Sequence, residues 1–490
     1  MRTTCVMPTS LPPSSPLLTA GEMKACETQA IQKWGIFSLV LQEHAALGAL
    51  ALLGRDAPIH VLAGPGNNGG DALALARLAR LQGRDVNLWP LTSTGAPTWK
   101  GDAAVQARLW EGMGGGYRHV ADPAQVIGSW RGWVVDGLFG LGSKLPIPPV
   151  LLPWLEALNG PDRHFKVLSL DSPTGLDPSS GEVAGPVLRA DSTACFGHMK
   201  RCHGLRPAKD FCGDISVVPI PLPQAPPSTL SLLRRPGILG ARWDAHKYDH
   251  GHVTIRAGNV GMGGAVALAA MGALRGGAGL VTVLTEAAVV GIVASQVPEA
   301  MVAPWEGRLP DKTDVLLVGP GGVEEIPDWD GPLVLDASAL RDGDGAKWMG
   351  RPNTIITPHA GEFSRLFGAA APKGTQGRLA AIEKMLDRLD GPPPGALVLK
   401  GAQTLLTGGG SRHIFVNPTG HPGLATGGTG DFLAGLASAR FARHKDDPLK
   451  AASQAVWLHG AAADSLGEGP LLAGDLGPAL AKVFRGLSGA

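Results

Sequence analysis

Two glycine-rich runs carry more polar chemistry than a bare turn needs. The first, Gly64-Pro-Gly66-Asn67-Asn68-Gly69-Gly70-Asp71, follows an apolar run at 59–63 and precedes a helical pattern over 71–81 with Leu75, Leu78 and Leu81 on its face. That order puts a glycine turn and a helix N-terminus at the carboxyl end of a strand, where open α/β sheets bind anionic ligands. Gly64-x-Gly66-x-x-Gly69 formally satisfies the dinucleotide fingerprint. The next strand, 85–89, however runs into Pro90 with no acid for a ribose hydroxyl, which disfavours a hydride-transferring dehydrogenase. The second run, Ala425-Thr-Gly427-Gly428-Thr429-Gly430-Asp431, precedes a helix with Leu433, Leu436 and Ala437. Its backbone amides suit a phosphoryl group, and Asp431 stands where it could take a proton from an attacking hydroxyl. The run lacks the Gly-Lys-Ser/Thr ending of a P-loop, so that class of nucleotidase is disfavoured.

Two further strand ends add carboxylates. Val134-Val-Asp136-Gly-Leu-Phe-Gly140-Leu-Gly142 and Leu168-Ser-Leu-Asp171-Ser-Pro-Thr174-Gly175 each close an apolar strand with an aspartate and continue into a glycine turn. Carboxylates among amide and hydroxyl oxygens can hold a hard cation or exchange protons. Cys195, His198, Cys202, His203 and Cys212 crowd a short stretch but lack paired C-x2-C spacing, and read as the end of a domain rather than a zinc site.

The elements that must position these residues follow one grammar. Strands at 59–63, 85–89, 133–136 and 166–171 alternate with helical patterns. After the prolines between 219 and 236 come strands at 252–256, 280–284, 315–318, 333–336 and 396–400, with helices near 265–274, 431–441 and 451–466. Such alternation predicts parallel sheets covered by helices, hence an α/β fold in two domains. The division is a flexible tail at 1–20, a domain at 21–225, a proline-rich linker at 226–240 and a second domain at 241–490. The 490 residues carry 43 Lys and Arg against 42 Asp and Glu, with no long run of either sign, so nothing advertises a nucleic-acid partner. No apolar run reaches the roughly 18 residues of a membrane span. Five scattered cysteines do not resemble a disulfide framework, and a soluble cytoplasmic protein is expected.

The loop from Gly64 to Asp71, the two aspartate turns and the string Met23-Lys-Ala-Cys-Glu27-Thr-Gln-Ala-Ile31 together resemble the NAD(P)H-hydrate epimerase domain, over roughly residues 21–221. The resemblance implies a Rossmann-like three-layer sandwich. It implies potassium held by Asn68, Asp136 and Thr174, with Asp171 as the catalytic group. Substrate would be contacted by Asn67, Asn68, Gly69, Gly70, Asp71, Asp171 and the turn Gly140, Leu141, Gly142, Ser143, Lys144, Leu145 and Pro146. Thr174 stands where the family usually has serine, and Ala72 where it has glycine.

The second half is similar to the ribokinase-like superfamily, and within it to the ADP-dependent NAD(P)H-hydrate dehydratases. The motifs that carry this are His246-Lys247, Gly261-Met-Gly-Gly-Ala265, Val318-Gly-Pro-Gly321, Val334-Leu-Asp-Ala337, Thr357-Pro-His-Ala-Gly-Glu362, Lys400-Gly-Ala-Gln-Thr404 and the last glycine loop. The resemblance implies a ribokinase-like α/β domain in which Ala265, Gly321, His359 and Asp431 contact hydrated dinucleotide. Lys400, Gly401, Ala402, Gln403, Thr404 and Gly430 would hold the adenine nucleotide, and Asp431 would be catalytic. ADP is the expected co-substrate, with Mg2+ and a homo-oligomeric state. Arg341, Val323 and Thr429 depart from the family pattern. The competing expectation is a small-alcohol kinase fused to a non-catalytic nucleotide-binding module.

Overall fold

The computed structural model describes residues 14–55, 57–91, 98–120, 122–142, 145–161, 163–226, 228–237 and 246–488. The chain divides into two compact units, one from Pro16 to Ser228 and one comprising Met1–Ser15 with Thr229–Ala490. Within residues 1–20, only 1–13 lie outside the described residues. The short strand β1 (Ser14–Pro16) comes first. Leu17 and Leu18 are fully buried, and Thr19 caps helix α1 (Ala20–Trp34) through a reciprocal pair with Glu22. Residues 14–20 therefore depart from the expected flexible tail, because apolar burial and a capping box hold them in the fold.

In the first unit α1 and α2 (Ser38–Ala51) precede a six-stranded sheet. Its strands are β2 (Ile59–Ala63), β3 (Val86–Pro90), β4 (Gly132–Gly137), β5 (Phe165–Leu170), β6 (Ser192–Phe196) and β7 (Asp214–Val218). They lie in the order β3-β2-β4-β5-β6-β7, every pair parallel. Alternate residues serve opposite faces. Ile59, Val61 and Ala63 pack on α2, α3 (Asn67–Leu81) and α4 (Gly101–Gly112), while Leu62, Val134 and Val167 meet Trp130, Trp154 and Leu155 on the other side. Two separate cores on one sheet make the expected three-layer sandwich.

In the second unit, eleven strands are ordered β1-β8-β17-β16-β15-β14-β13-β12-β9-β10-β11. They are β8 (Leu230–Leu233), β9 (His252–Arg256), β10 (Leu280–Thr285), β11 (Met301–Pro304), β12 (Val315–Val318), β13 (Leu333–Leu335), β14 (Thr354–Ile356), β15 (Ala396–Leu399), β16 (Leu405–Gly408) and β17 (Ser411–Val416). The run from β11 to β15 is parallel, and β16 is antiparallel to both neighbours. The expected linker at 226–240 contains β8, which pairs with β17. Between its flanking prolines the stretch is proline-free, so its N–H groups are available to a ladder. Residues 227 and 238–240 of that linker lie outside the described residues.

Helix Thr429–Arg443, which carries Asp431, crosses helix Gly263–Arg275 at close range. A Cβ on Gly435 would collide with the Ala269 carbonyl, and one on Gly272 with that of Phe432. Glycine is needed here for approach, not for backbone freedom. Gly435→Ala is therefore expected to lower stability by about 1–3 kcal/mol through overpacking. Gly112→Ala, at an exposed helix position with open space around it, should be neutral or stabilising by no more than about 1 kcal/mol. Chemical denaturation of both variants checks this; equal losses would refute the steric argument.

Candidate active sites

In the first unit the strand ends of β2, β4 and β5 open onto one cavity of about 600 Å³. Lys24 and Glu27 of α1, Gln42 of α2, Asn67, Asn68 and Asp71 of the glycine loop, Asp102, the turn Gly140, Leu141 and Gly142, and Asp171 all line it. The glycine loop owes its shape to close packing: a Cβ on Gly69 would run into the Gly64 carbonyl, and one on Gly70 into the Gln42 amide. Gln42 in turn donates to the Asn67 carbonyl at 3.3 Å. Ser143 and Lys144 lie outside the described residues. Leu145 packs in the core with Trp154, and neither it nor Pro146 is among the residues lining the cavity. That end of the expected substrate turn points its apolar side chain inward because the core can bury it.

The three residues implied for a cation lie together. Asp136 is fully buried, and its Oδ1 accepts from the Thr174 hydroxyl at 2.7 Å and the Leu138 N–H at 3.3 Å. Its Oδ2 accepts from Thr174 N–H at 2.9 Å and the Ser169 hydroxyl at 3.0 Å. Burial pushes this carboxyl's pKa up, and the Thr174 donors pull it back. Threonine thus presents its oxygen as serine would, and accepts a bond from Phe139 N–H as well. Asn68 is buried, and both atoms of its amide are unpartnered, against Gly140.

Asp171 sits in the left-handed region at φ 62° and is fixed from two directions. The fully buried Lys200 donates its ammonium protons to Asp171 Oδ1 and, at 2.9 Å, to the Phe196 carbonyl. His203 Nδ1 accepts the Lys200 N–H at 3.0 Å, so the ring proton is on Nε2, which donates to the Asp171 carbonyl at 2.8 Å. Burial first, and the Lys200 charge second, lower His203 to about 4 and keep it neutral. Two other cavity carboxyls are pushed up: Asp71 well above the usual range, by burial and then by Asp171, and Glu27 for the same two reasons. Lys200 escaped the sequence reading because it lies 29 residues from its partner. The only signal was a polar residue amid the Cys/His cluster. Of that cluster, Cys202 and Cys212 belong to an apolar pocket with Leu176 and Val187.

In the second unit Asp431 is the third residue of its helix, after Gly428 at φ 86°. Burial, then repulsion from Asp336, raises it to about 6, with Lys400 opposing. Lys400 is the hub of this site. Its Nζ binds Asp336 Oδ1 at 2.7 Å, lies 4.0 Å from Glu362 and sits 3.5 Å from where a Gly430 Cβ would be. Thr357 donates to the same Asp336 oxygen at 2.8 Å. The lysine implied as a nucleotide ligand is therefore engaged by carboxylates, since a cation this buried needs a counter-charge. Asp336 and Glu362 were missed as site residues, although an aspartate closing a strand and a glutamate in a capping box were both visible.

The other implied residues are dispersed around this hub. Gly401 and Ala402 are exposed, Gln403 is buried, and Thr404 opens the turn into β16. Gly321 adopts φ 67°, and Ala265 is half-buried in the first turn of its helix. His359 is an exposed N-cap whose Nδ1 accepts from Gly361 and Glu362 N–H. Thr429 is buried and donates to the Leu424 and Thr426 carbonyls, bracing the glycine loop. Arg341 donates to the Glu324 carbonyl, and Val323 N–H to Ser338.

The two units define a two-domain α/β enzyme with a carboxylate-bearing polar site at the carboxyl edge of each sheet. Residues 38–202 match the family described as YjeF-related protein N-terminus, and 253–483 the NAD(P)H-hydrate dehydratase family. A bifunctional NAD(P)H-hydrate repair enzyme of Moorella thermoacetica is 31% identical over 96% of this chain and 97% of its own. The counterpart in Coxiella burnetii is 36% identical over 86% and 89%. An ADP/ATP-dependent NAD(P)H-hydrate dehydratase structure from Bacillus subtilis, 28% identical, covers 51% of this chain and 95% of its own, with a TM-score of 0.45. The chain belongs to the bifunctional NAD(P)H-hydrate repair enzymes, and the small-alcohol kinase reading is not favoured.

Because folding raises the Asp431 pKa, its protonated form is favoured in the native state. Stability therefore falls as pH rises from the usual carboxylate range through about 6. Asp431→Asn should remove that loss and raise stability at pH 7.5 by about 1–2 kcal/mol, after a discount for partial exposure, with little gain at pH 4. Thermal melts at the two pH values test this; equal shifts would contradict it.

Proposed function

We propose that the first unit interconverts the R and S epimers of hydrated NADH and NADPH, and that the second restores the reduced cofactor from the S epimer, consuming ADP and releasing AMP and phosphate. What carries the reading is that the two family matches fall on the two units separately. Each unit also has a polar site at its sheet edge.

Epimerisation requires the hydroxyl-bearing ring carbon to lose and regain its configuration, and a group that gives and takes a proton. Asp171 is the residue for that step. Lys200 and His203 are positioning residues, holding its carboxylate and its backbone. Glu27 and Asp71, whose carboxyls burial pushes up, line the same cavity. The substrate phosphates belong at the N-terminus of α3. Potassium fits Asn68, Asp136 and Thr174: all three offer oxygens, and the Asn68 amide is a buried group without a partner. When bound, the ion would supply positive charge beside the substrate's phosphates.

In the second unit the ring hydroxyl is a poor leaving group until it is phosphorylated, and loss of phosphate then regenerates the reduced ring. Asp431 accepts the hydroxyl proton, and the amides of Gly428 to Gly430 offset the charge of the transferred phosphoryl group. Lys400 keeps Asp431 from rising further and so sets the pH at which the base is free. Magnesium is expected with the nucleotide phosphates.

The test is recovery of near-ultraviolet absorbance from an R/S mixture of hydrated NADH with magnesium, potassium and ADP. Full recovery is expected for the wild-type protein. Asp171→Asn should be limited by spontaneous epimerisation, and Asp431→Asn slowed by at least about a hundredfold. The rate should rise with pH through about 6, and Lys400→Met should move that limb upward. No recovery with any nucleotide would refute the proposal.

A further inference from the structure

Arg378 lies on helix Gly374–Asp387, a segment that no motif singled out. Its side chain is 94% buried, its exposure being 6%. Its Nη2 donates to the Gln403 carbonyl at 3.0 Å and meets the Thr375 hydroxyl at 3.5 Å, while Nε has no partner. The guanidinium lies directly beneath Gly401: a Cβ there would stand 2.5 Å from Cζ and 2.6 Å from Nη1. Among the described residues no carboxylate comes within ion-pair distance of it, and burial is the sole influence on its pKa, downward. The lysines of the two sites, by contrast, each have an acid: Lys400 has Asp336, and Lys200 in the first unit has Asp171.

A buried guanidinium without a counter-charge is costly unless something anionic completes it. The loop above it offers the place. A trans peptide points its C=O and N–H in opposite directions, so an inward Gln403 carbonyl turns the Thr404 N–H outward. The exposed backbone of Gly401 and Ala402 lies on that outer side. We propose that Arg378 is the fixed positive charge of the adenine-nucleotide subsite, clamping the Gly401–Thr404 loop from below and attracting nucleotide phosphate seated above it. This rests on the ADP reading of the second unit and deepens it. Gly401 is glycine because the guanidinium occupies the space of its side chain.

Direct binding of ADP, and of adenosine as its uncharged counterpart, to the full-length protein without hydrated cofactor separates charge from loop shape. Arg378→Gln is expected to weaken ADP by about tenfold or more and adenosine by less than about twofold. Arg378→Lys, which keeps the charge, is expected to hold ADP within about threefold of wild type. Equal weakening of ADP and adenosine in Arg378→Gln, or no change in either, overturns the proposal. Should Arg378→Gln fail to fold, Arg378→Lys decides: ADP held within about threefold of wild type supports the proposal, and a larger loss of ADP despite the retained charge overturns it. A wild-type protein that binds no ADP would instead refute the nucleotide reading itself, whereas ADP binding with no cofactor recovery would refute only the dehydration.

Discussion

In each half of the chain a lysine at the carboxyl edge of a parallel sheet is neutralised by an aspartate that closes a strand or follows it directly. Lys200 holds Asp171 in the first unit and Lys400 holds Asp336 in the second. Removing one member of a buried pair leaves the other charge uncompensated, at a cost of about 3–5 kcal/mol, so these contacts constrain what can surround them. The two sites use the motif differently. In the first unit the paired aspartate is itself the candidate base, locked in a left-handed backbone conformation by His203. In the second the pair stands beside the proposed base, Asp431, which burial and then Asp336 push up to about 6. One aspartate is held by direct contact with a lysine, while the other is raised by burial and by repulsion from Asp336.

Glycine plays a corresponding double part. In the first glycine loop the requirement is steric: Gly64 and Gly69 leave no room for a side chain against the backbone they touch. In the second loop Gly428 must adopt a positive φ to start the helix that carries Asp431. Both arrangements bring helix N–H groups to the edge of a sheet, but the first does so by compression and the second by backbone conformation.

Order along the chain was the most legible feature. Strand, glycine turn and helix follow one another over 59–81 and again around 425–441 in a pattern that few folds accommodate. Asp136 and Asp431 therefore stand out as candidate site residues from their neighbours, whereas Thr174 enters through the family resemblance. Strands such as Ser192–Phe196 and Leu230–Leu233 were not legible, because short segments with serine and cysteine lack the aliphatic pattern of a buried strand until neighbours supply the ladder. Lys200 and Arg378 were invisible for another reason. Each is a common residue in an ordinary helix or turn, and only contact with a distant segment gives it a part in the site. Lys400 was visible, and its strand-end position allowed a carboxylate partner but did not reveal that the partner is Asp336, 64 residues earlier.

The sequence by itself determined the two α/β units, the glycine loops with their carboxylates and the family, because these depend on residues close together in the chain. The tertiary structure alone decided which charges meet. It set Asp171 against Lys200, left Asn68 with an unsatisfied amide and, among the described residues, kept Arg378 from any carboxylate. Those outcomes turn on burial, where an ion's free energy depends on its few nearest neighbours, and those neighbours come from strands and helices far apart in the chain.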